Sequence, residues 1–546
     1  MRSIKVPLSP PPPALFLTIV TLGPIVRNAA IQTPCHAPSA VPLCACVVLL
    51  AFILLGRRRK STLPLPPGPP ADPIIGHLRK FSFAHQHELF REWAAKYGDI
   101  FHLHILGHHL VVLNSLRVAT DLMDKRSAKY SDRPSCTTLK LTGWDVSVPF
   151  MEYGPRWKIH RKIFQGYFNE NESLKYRAQQ TKGAHVLLKD LLVSPHEFTT
   201  LTQRFAMRGV LEIAYGHQVH SDNDVYVKLT ADALHGADEV KLGASPVDFV
   251  PSLVHLPHWL PGCSSLTSAA RRWRPATRKV HDFPFDDVLK QMDAGVARPS
   301  FLSSHLEQYN AEGAKNYNLD DLKGAAATIL IAGSGTTWSL IQTFYFSMLL
   351  FPEVQRKAQA EIDRVIGSDR LPDFSDRDAL PFVECVLQET IRWHPVAPQG
   401  IAHRSVDDDI YQGMFIPKGS IVFPNVMAMS RDETVYKDAD AFYPERFLPA
   451  PAGPGEPYLG AVFGFGRRIC PGRYFADNSA WIVVATVLAT FDICKAIDKT
   501  GKAIEPDVAF TTDGLASRPK PFECVFRPRS EMAKKLIMQH ANLGED

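Results

Sequence analysis

Cys470 is one of nine cysteines in this 546-residue chain, and its surroundings set it apart. It lies in FGFGRRICPGRYFA, residues 463–476, among Gly464, Gly466 and Gly472, with Phe463 and Phe465 before it and Arg467 and Arg468 beside it. A thiolate is a soft, strong ligand for iron. To act as one it must stay deprotonated, open to the metal and shielded from water. Glycines let backbone N–H groups come close to the sulfur. The run that follows, RYFADNSAWIVVATVLATF, is patterned as a helix. Cys470 would then sit near a helix N-terminus, where the dipole lowers a thiol pKa. Phe463 and Phe465 would supply an apolar wall. Other patterns are weaker alone. Glu389 and Arg392 in ETIR are spaced i,i+3 and share one helix face, as many solvated pairs do. WKIHR at 157–161 puts Trp157 and Arg161 one turn apart. His102, His104, His108 and His109 fall in DIFHLHILGHHLVVLN (99–114), but no acidic or cysteine partner follows at ligand spacing. The alternation around Gly107 reads as two strands and a turn.

Several elements must hold these groups. NLDDLKGAAATILIAGSGTTWSLIQTFYFSMLLF, residues 318–351, reads as one long helix, capped by Asn318 with acids in its first turn and stopped by Pro352. A helix apolar all round is buried or in a membrane; the small polar interruption AGSGTT argues for burial. No repeat or low-complexity linker divides residues 70–528. Residues 1–38 are an unassigned extension. SAVPLCACVVLLAFILLG at 39–56 is an apolar run of 18 followed by RRRK, which reads as a transmembrane anchor with its C-terminal end in the cytoplasm. Residues 57–70 form a basic, proline-rich hinge ending in LPLPPGPP, a stiff spacer. The folded body is 71–528, and 529–546 reads as a polar tail. Hydrophobic content of 45% and charged content of 21% are those of an ordinary globular protein, and a net charge of +5 is too small to imply nucleic acid. The odd, scattered cysteines offer no disulfide framework and point to a reducing compartment. No G-x-G-x-x-G follows a strand, so the chain carries no evident nicotinamide or flavin site and electrons must come from a partner. The absence of C-x-x-C-H excludes c-type haem attachment.

Phe463, Gly466, Arg468, Cys470 and Gly472 match in full the haem-binding signature of the cytochrome P450 family, Phe-x-x-Gly-x-Arg-x-Cys-x-Gly. The chain resembles that family over residues 62–528. The resemblance implies a mainly α fold with small β-sheets, the haem lying between a long central helix and the cysteine-ligand loop. It implies Cys470 as the iron ligand of haem b, and Phe463, Gly466 and Gly472 as parts of the loop around the cofactor. Trp157, Arg161 and Arg468 would then serve the haem propionates, to which the arginine fork is suited. Arg446, in FYPERF at 442–447, would join Glu389 and Arg392 in a buried structural charge network. On the long helix, Ala332-Gly333-Ser334-Gly335-Thr336-Thr337 is similar to the family's oxygen-side pattern, with the Thr336 hydroxyl holding oxygen and relaying protons. Gly335 departs from that pattern, which usually has an acid there. Ser334, Thr337 or ordered water would have to take over the proton relay.

The function so implied is a haem-thiolate monooxygenase that inserts one atom of O2 into a lipophilic small molecule. The wording of the chain looks most like fungal members that oxidise natural products. By the same resemblance the protein sits in the endoplasmic reticulum membrane with its catalytic domain facing the cytoplasm. It draws electrons from NADPH–cytochrome P450 reductase, with cytochrome b5 a further candidate donor. Arg156, Lys158, Lys162, Arg467 and Arg473 are candidates for a basic docking face, although a solvated surface accounts for each one singly. The substrate pocket would be lined from 134–150, from Ala326 and Ile331, from VAPQGI (396–401) and from FTTDG (510–514), with Phe150, Val396 and Phe510 giving it apolar character. The alternative is a redox-independent isomerase or lyase on the same fold, motivated by Gly335.

Overall fold

Ten helices, in chain order, build and brace the site: α1 Pro155–Phe168, α2 Arg177–Val193, α3 Phe198–Tyr215, α4 Val225–Val240, α5 Ser265–Asp293, α6 Leu319–Leu350, α7 Pro352–Val365, α8 Pro381–Trp393, α9 Arg473–Thr490 and α10 Glu531–Asn542. The structure, a computed structural model, describes residues 61–81, 85–219, 223–240, 245–257, 265–313, 317–511 and 516–542. The extension 1–38, the anchor 39–56 and the RRRK of the hinge lie outside the described residues.

The long helix begins where its cap dictates. The Asn318 side chain accepts from the Asp321 N–H at 2.7 Å, and the Asp321 carboxylate accepts from the Asn318 N–H at 3.3 Å. This reciprocal cap satisfies two of the donors that a helix start leaves orphaned. Pro352 then opens α7. Among the described residues α6 is the one helix long and apolar enough to cross a membrane, and 67% of its most apolar stretch is buried in the body. It is therefore a core helix. Its two halves serve two cores. Leu322, Ala325, Ala326, Ile329 and Leu330 pack with residues of α1, α3 and α5. Leu340, Ile341, Phe344, Tyr345 and Met348 pack with α2, α7, α8 and α9. Burying each large side chain of this kind contributes about 1.5–3 kcal/mol. Between the two cores, Ala332 and Thr336 are exposed one turn apart in the middle of an otherwise buried helix.

The sheets are small and peripheral. β1 (Ile100–Ile105) and β2 (His108–Leu113) form the expected hairpin, with Ile105 opposite His108. They continue into a four-stranded sheet with β3 (His403–Arg404) and β6 (Ile421–Pro424), in the order β1-β2-β6-β3. β4 (Asp409–Tyr411) pairs with β5 (Met414–Ile416), and β7 (Phe491–Lys495) with β8 (Cys524–Pro528). The hairpin histidines bond each other: His102 Nε2 lies 2.8 Å from His109 Nδ1.

The stretch read as a polar tail carries α10 instead. Ala533, Leu536 and Ile537, spaced i, i+3, i+4, are buried, and the latter two join the core formed with α2 and α9. Glu531 before them and the lysines between them made the segment look polar by composition, but its apolar residues keep a helical period.

Candidate active site

The Cys470 loop is folded tightly by its glycines. The Cys470 N–H donates to the Phe463 carbonyl at 2.7 Å, closing the loop on itself. Gly466 sits at φ +52°, and a Cβ there would lie 2.2 Å from the Met123 carbonyl oxygen, so no other residue fits. Its N–H also donates to the Asp124 carboxylate. Gly472 is the cap residue of α9, in open space, with its N–H directed to the Cys470 sulfur. Phe465 is buried and Phe463 half-buried. Cys470 is half-buried. Burial pushes its thiol up, while the Gly472 N–H and the charges of Arg161 and Arg473 pull it down.

Three arginines gather beside this loop, and among the described residues none of them hydrogen-bonds a carboxylate; Asp132 acts on Arg133 and Arg468 through its charge alone. Arg161, on α1, donates to the Ile469 carbonyl at 2.6 Å, next to Cys470. Arg468 donates to the carbonyls of Ser131 at 2.7 Å and Met151 at 2.8 Å, and its guanidinium lies 4.4 Å from the Trp157 ring centroid. Arg133, which the sequence reading missed, donates to the carbonyls of Pro149, Ile401 and Ala402, each at 2.7 Å. Arg133 and Arg468 are 5% and 9% exposed. Among the described residues none of the three forms an ion pair. The electrostatic cost is visible: burial and then the neighbouring Arg468 hold the Arg133 guanidinium well below the usual range, and burial pushes Arg468 down to about 10. A buried cation needs an anion. The indole N–H of Trp157 likewise has no protein acceptor among the described residues. A loop cysteine with arginines beside it that lack ion pairs, and an indole donor without an acceptor, fits a haem, which brings both an iron and two carboxylates. The residues present fit that group.

The middle of α6 separates the three hydroxyls grouped by the sequence. Thr336 is exposed, and its Oγ1 donates to the Ala332 carbonyl at 2.7 Å. Ser334 and Thr337 are only 3% and 4% exposed, and Ser334 Oγ has no partner among the described residues. They lie roughly 200° and 100° around the helix from Thr336. The small residues also divide. A Cβ on Gly333 would come within 2.6 Å of Val210 on α3, so this glycine serves helix packing. A Cβ on Gly335 would meet nothing within 4 Å. Val148 N–H donates to Thr328 Oγ1 at 3.3 Å, which seats the 134–150 stretch on α6. Of the pocket positions read from the sequence, Phe150, Ile331, Val396 and Phe510 are half-buried, whereas Ala326 is wholly buried in packing. Positions 512–514 lie outside the described residues.

Behind α8 the structure brings Glu389, Arg392 and Arg446 together, all with no exposed surface. Arg392 forks onto Glu389 at 2.7 and 2.8 Å, and Arg446 Nε reaches Glu389 at 3.1 Å. A second carboxylate, Glu456, missed by the sequence reading, accepts from Arg446 at 2.6 Å. Of the five basic residues read as a docking face, Arg156 is occupied by Asp321 at 2.5 Å, and Arg473 donates to the Cys470 carbonyl at 3.1 Å. Lys158, Lys162 and Arg467 are exposed.

Comparison with known proteins agrees with this geometry. The family model described as Cytochrome P450 matches residues 66–526. Cytochrome P450 monooxygenase 136 of Postia placenta is 40% identical over 492 residues, 88% of this chain and 92% of its own length. A cytochrome P450 monooxygenase of Armillaria gallica is 37% identical over 91% of this chain and 98% of its own. Cytochrome P450 monooxygenase ple1 of Rhodocybe pseudopiperita is 36% identical over 93% and 98%.

Proposed function

The chain belongs to the cytochrome P450 family of haem-thiolate monooxygenases, and on that premise we propose that it uses haem b to insert one atom of O2 into a lipophilic small molecule of secondary metabolism. In this reading the enzyme is held at the endoplasmic reticulum membrane, with its catalytic domain in the cytoplasm. NADPH–cytochrome P450 reductase, with or without cytochrome b5, supplies the electrons. The observation that carries the assignment is the half-buried Cys470 in its glycine loop beside three arginines that form no ion pair among the described residues.

Cys470 would hold the iron; Arg133, Arg161, Arg468 and Trp157 would hold the two carboxylates. The haem, when bound, supplies oxygen activation and C–H oxidation. The chain does the rest. Its apolar side chains, Phe150, Ile331, Val396 and Phe510, hold a lipophilic molecule and exclude water. Thr336 is the one exposed hydroxyl of the three, so it is the residue assigned to hold a proton, at Oγ1. While it donates to the Ala332 carbonyl, its lone pairs remain free to accept. Ser334 and Thr337 face packed neighbours and are poorly placed to replace an acid at 335. Proton delivery then rests on Thr336 and on water admitted through the gap at Gly335.

That gap also favours a second reading, a redox-independent isomerase or lyase on the same fold. Incubation with reductase, NADPH and isotopically labelled O2 separates the two: label in the product is expected, and turnover without NADPH would support the second. Because the space at 335 is empty, Gly335→Asp should fold normally. It should raise the fraction of NADPH electrons recovered in product several-fold, within the range of a positioned proton donor. Full coupling in the parent, unchanged in the variant, would show that water alone suffices.

A further inference from the structure

The cysteine loop leans on a segment far away in the chain. Phe465, next to Gly466, is buried in one cluster with Val118, Leu122 and Met123. That segment runs from Leu116 to Ala119 as one α-helical turn and from Thr120 to Lys125 as a π-helical turn. Such wide turns are rare and recur at functional sites. Here the turn sets the Met123 carbonyl oxygen and the Ser127 Cβ against Gly466, 2.2 and 2.8 Å from where a Cβ would stand. It also presents Asp124, whose carboxylate accepts from the Gly466 N–H.

Asp124 is left for this contact because the cations that flank it are committed elsewhere. Lys125 reaches Asp121 at 2.8 Å, and Arg126 and Lys129 both reach Asp409 at 2.9 Å. Arg467, beside Gly466, donates to the Tyr153 hydroxyl. Asp124 forms no ion pair among the described residues, and its carboxylate has the Gly466 N–H as its hydrogen-bond partner there. This contact begins a series of bonds that ends at the sulfur-bearing residue. Gly466–Arg468 is a short 3₁₀ turn, whose first N–H has no partner inside the turn; Asp124 supplies one. The Gly466 carbonyl accepts from the Ile469 N–H at 3.2 Å, the Ile469 carbonyl accepts from Arg161 at 2.6 Å, and the Cys470 N–H closes on the Phe463 carbonyl at 2.7 Å. A shift of the Gly466 peptide is therefore passed to Ile469 and Cys470. Asp124 is exposed, so its charge is screened, and the bond it makes is the larger of its two effects.

We propose that Asp124 is a positioning residue for the haem: by holding the Gly466 N–H it sets where the loop presents the Cys470 sulfur to iron. The inference rests on the haem-thiolate reading above and adds to it a residue outside the cysteine motif.

The test compares the haem-loaded parent, Asp124→Asn, Asp124→Ala and, as a control on the same turn, Asp121→Asn. Asparagine keeps an acceptor oxygen and drops the charge; alanine removes both. Haem retention of Asp124→Ala, measured by transfer to excess apomyoglobin, should fall about three- to tenfold, as loss of one hydrogen bond implies. Part of its reduced spectrum under carbon monoxide should lack the thiolate-type band. Asp124→Asn should keep that band and most of the retention, with a slightly raised reduction potential because a negative charge near the thiolate is gone. Asp121→Asn should match the parent in retention and spectrum. Parental retention and spectrum in Asp124→Ala overturn the inference, and so does an Asp124→Asn as damaged as Asp124→Ala. A lower urea midpoint in the Asp124 variants, with retention, spectrum and potential all parental, would show that the residue serves packing alone and also overturns it. A parent that itself lacks the thiolate-type band refutes the haem-thiolate reading; a parent that has it beside an unaffected Asp124→Ala refutes only the role of Asp124.

Discussion

Two clusters of buried arginine stand in this molecule, and they are finished differently. Behind α8, Arg392 and Arg446 meet Glu389 and Glu456, two cations against two carboxylates, with the remaining N–H groups on the carbonyls of Ser430, Ala439 and Lys437. Beside the cysteine loop, Arg133, Arg161 and Arg468 hydrogen-bond only backbone carbonyls among the described residues, and Asp132 acts on Arg133 and Arg468 through its charge alone. The first cluster is complete within the polypeptide and can act only as structure. The second is incomplete until a dianionic group arrives, so its imbalance is a record of what the site is built to bind. Identical residue types at similar burial therefore carry opposite meanings, and the count of nearby carboxylates tells them apart.

The sharpest way to break this comparison is to unbalance the complete cluster. Glu389→Ala leaves two fully buried cations short of a partner and should cost about 3–5 kcal/mol, read as a lower urea midpoint. Removing charge from the incomplete cluster should do the reverse to the haem-free protein. Arg468→Met or Arg133→Met deletes an uncompensated buried cation, so the apoprotein should be as stable as the parent or more so. Haem retention, measured by transfer to excess apomyoglobin, should fall tenfold to a hundredfold, the equivalent of about 1.5–3 kcal/mol. A large loss of apoprotein stability in these variants would mean that the second cluster is already balanced by the chain, and the distinction would fail. Trp157→Phe, which deletes one neutral donor, should weaken haem retention by less than tenfold.

The smallest effect concerns a weaker analogue of the incomplete cluster. His185 of α2 packs on His540 of α10 with ring centroids 4.8 Å apart, and burial followed by the neighbouring histidine pushes it from 6.5 down to about 4. The folded state therefore stays neutral where the unfolded chain takes up a proton. Stability should fall as pH drops from 6.5 toward 4 and be insensitive to this group above that range. His185→Phe should flatten that part of the stability–pH curve; an unchanged slope would locate the acid sensitivity elsewhere.

Much of the site was legible because it is written locally. Phe463 to Gly472 form one continuous motif, and the Asn318 cap and Pro352 bound α6 by short-range rules. Arg133 was not legible, since its acceptors Ile401 and Ala402 are far away in the chain and no spacing links them. Glu456 was missed for a similar reason: it belongs to the network through Arg446 alone. Two other differences had a signal that composition hid. Helical period places Ser334 and Thr337 away from Thr336, and the same period marks Ala533, Leu536 and Ile537 as a buried stripe within a charged tail.

The most direct measurement is the absorption spectrum of the purified, haem-loaded protein, reduced and saturated with carbon monoxide, recorded for the parent and for Cys470→Ala. The account predicts the strongly red-shifted Soret band of a thiolate-ligated haem in the parent and its loss in the variant. A parent spectrum of the ordinary histidine-ligated kind, or a thiolate band that survives in Cys470→Ala, would contradict it.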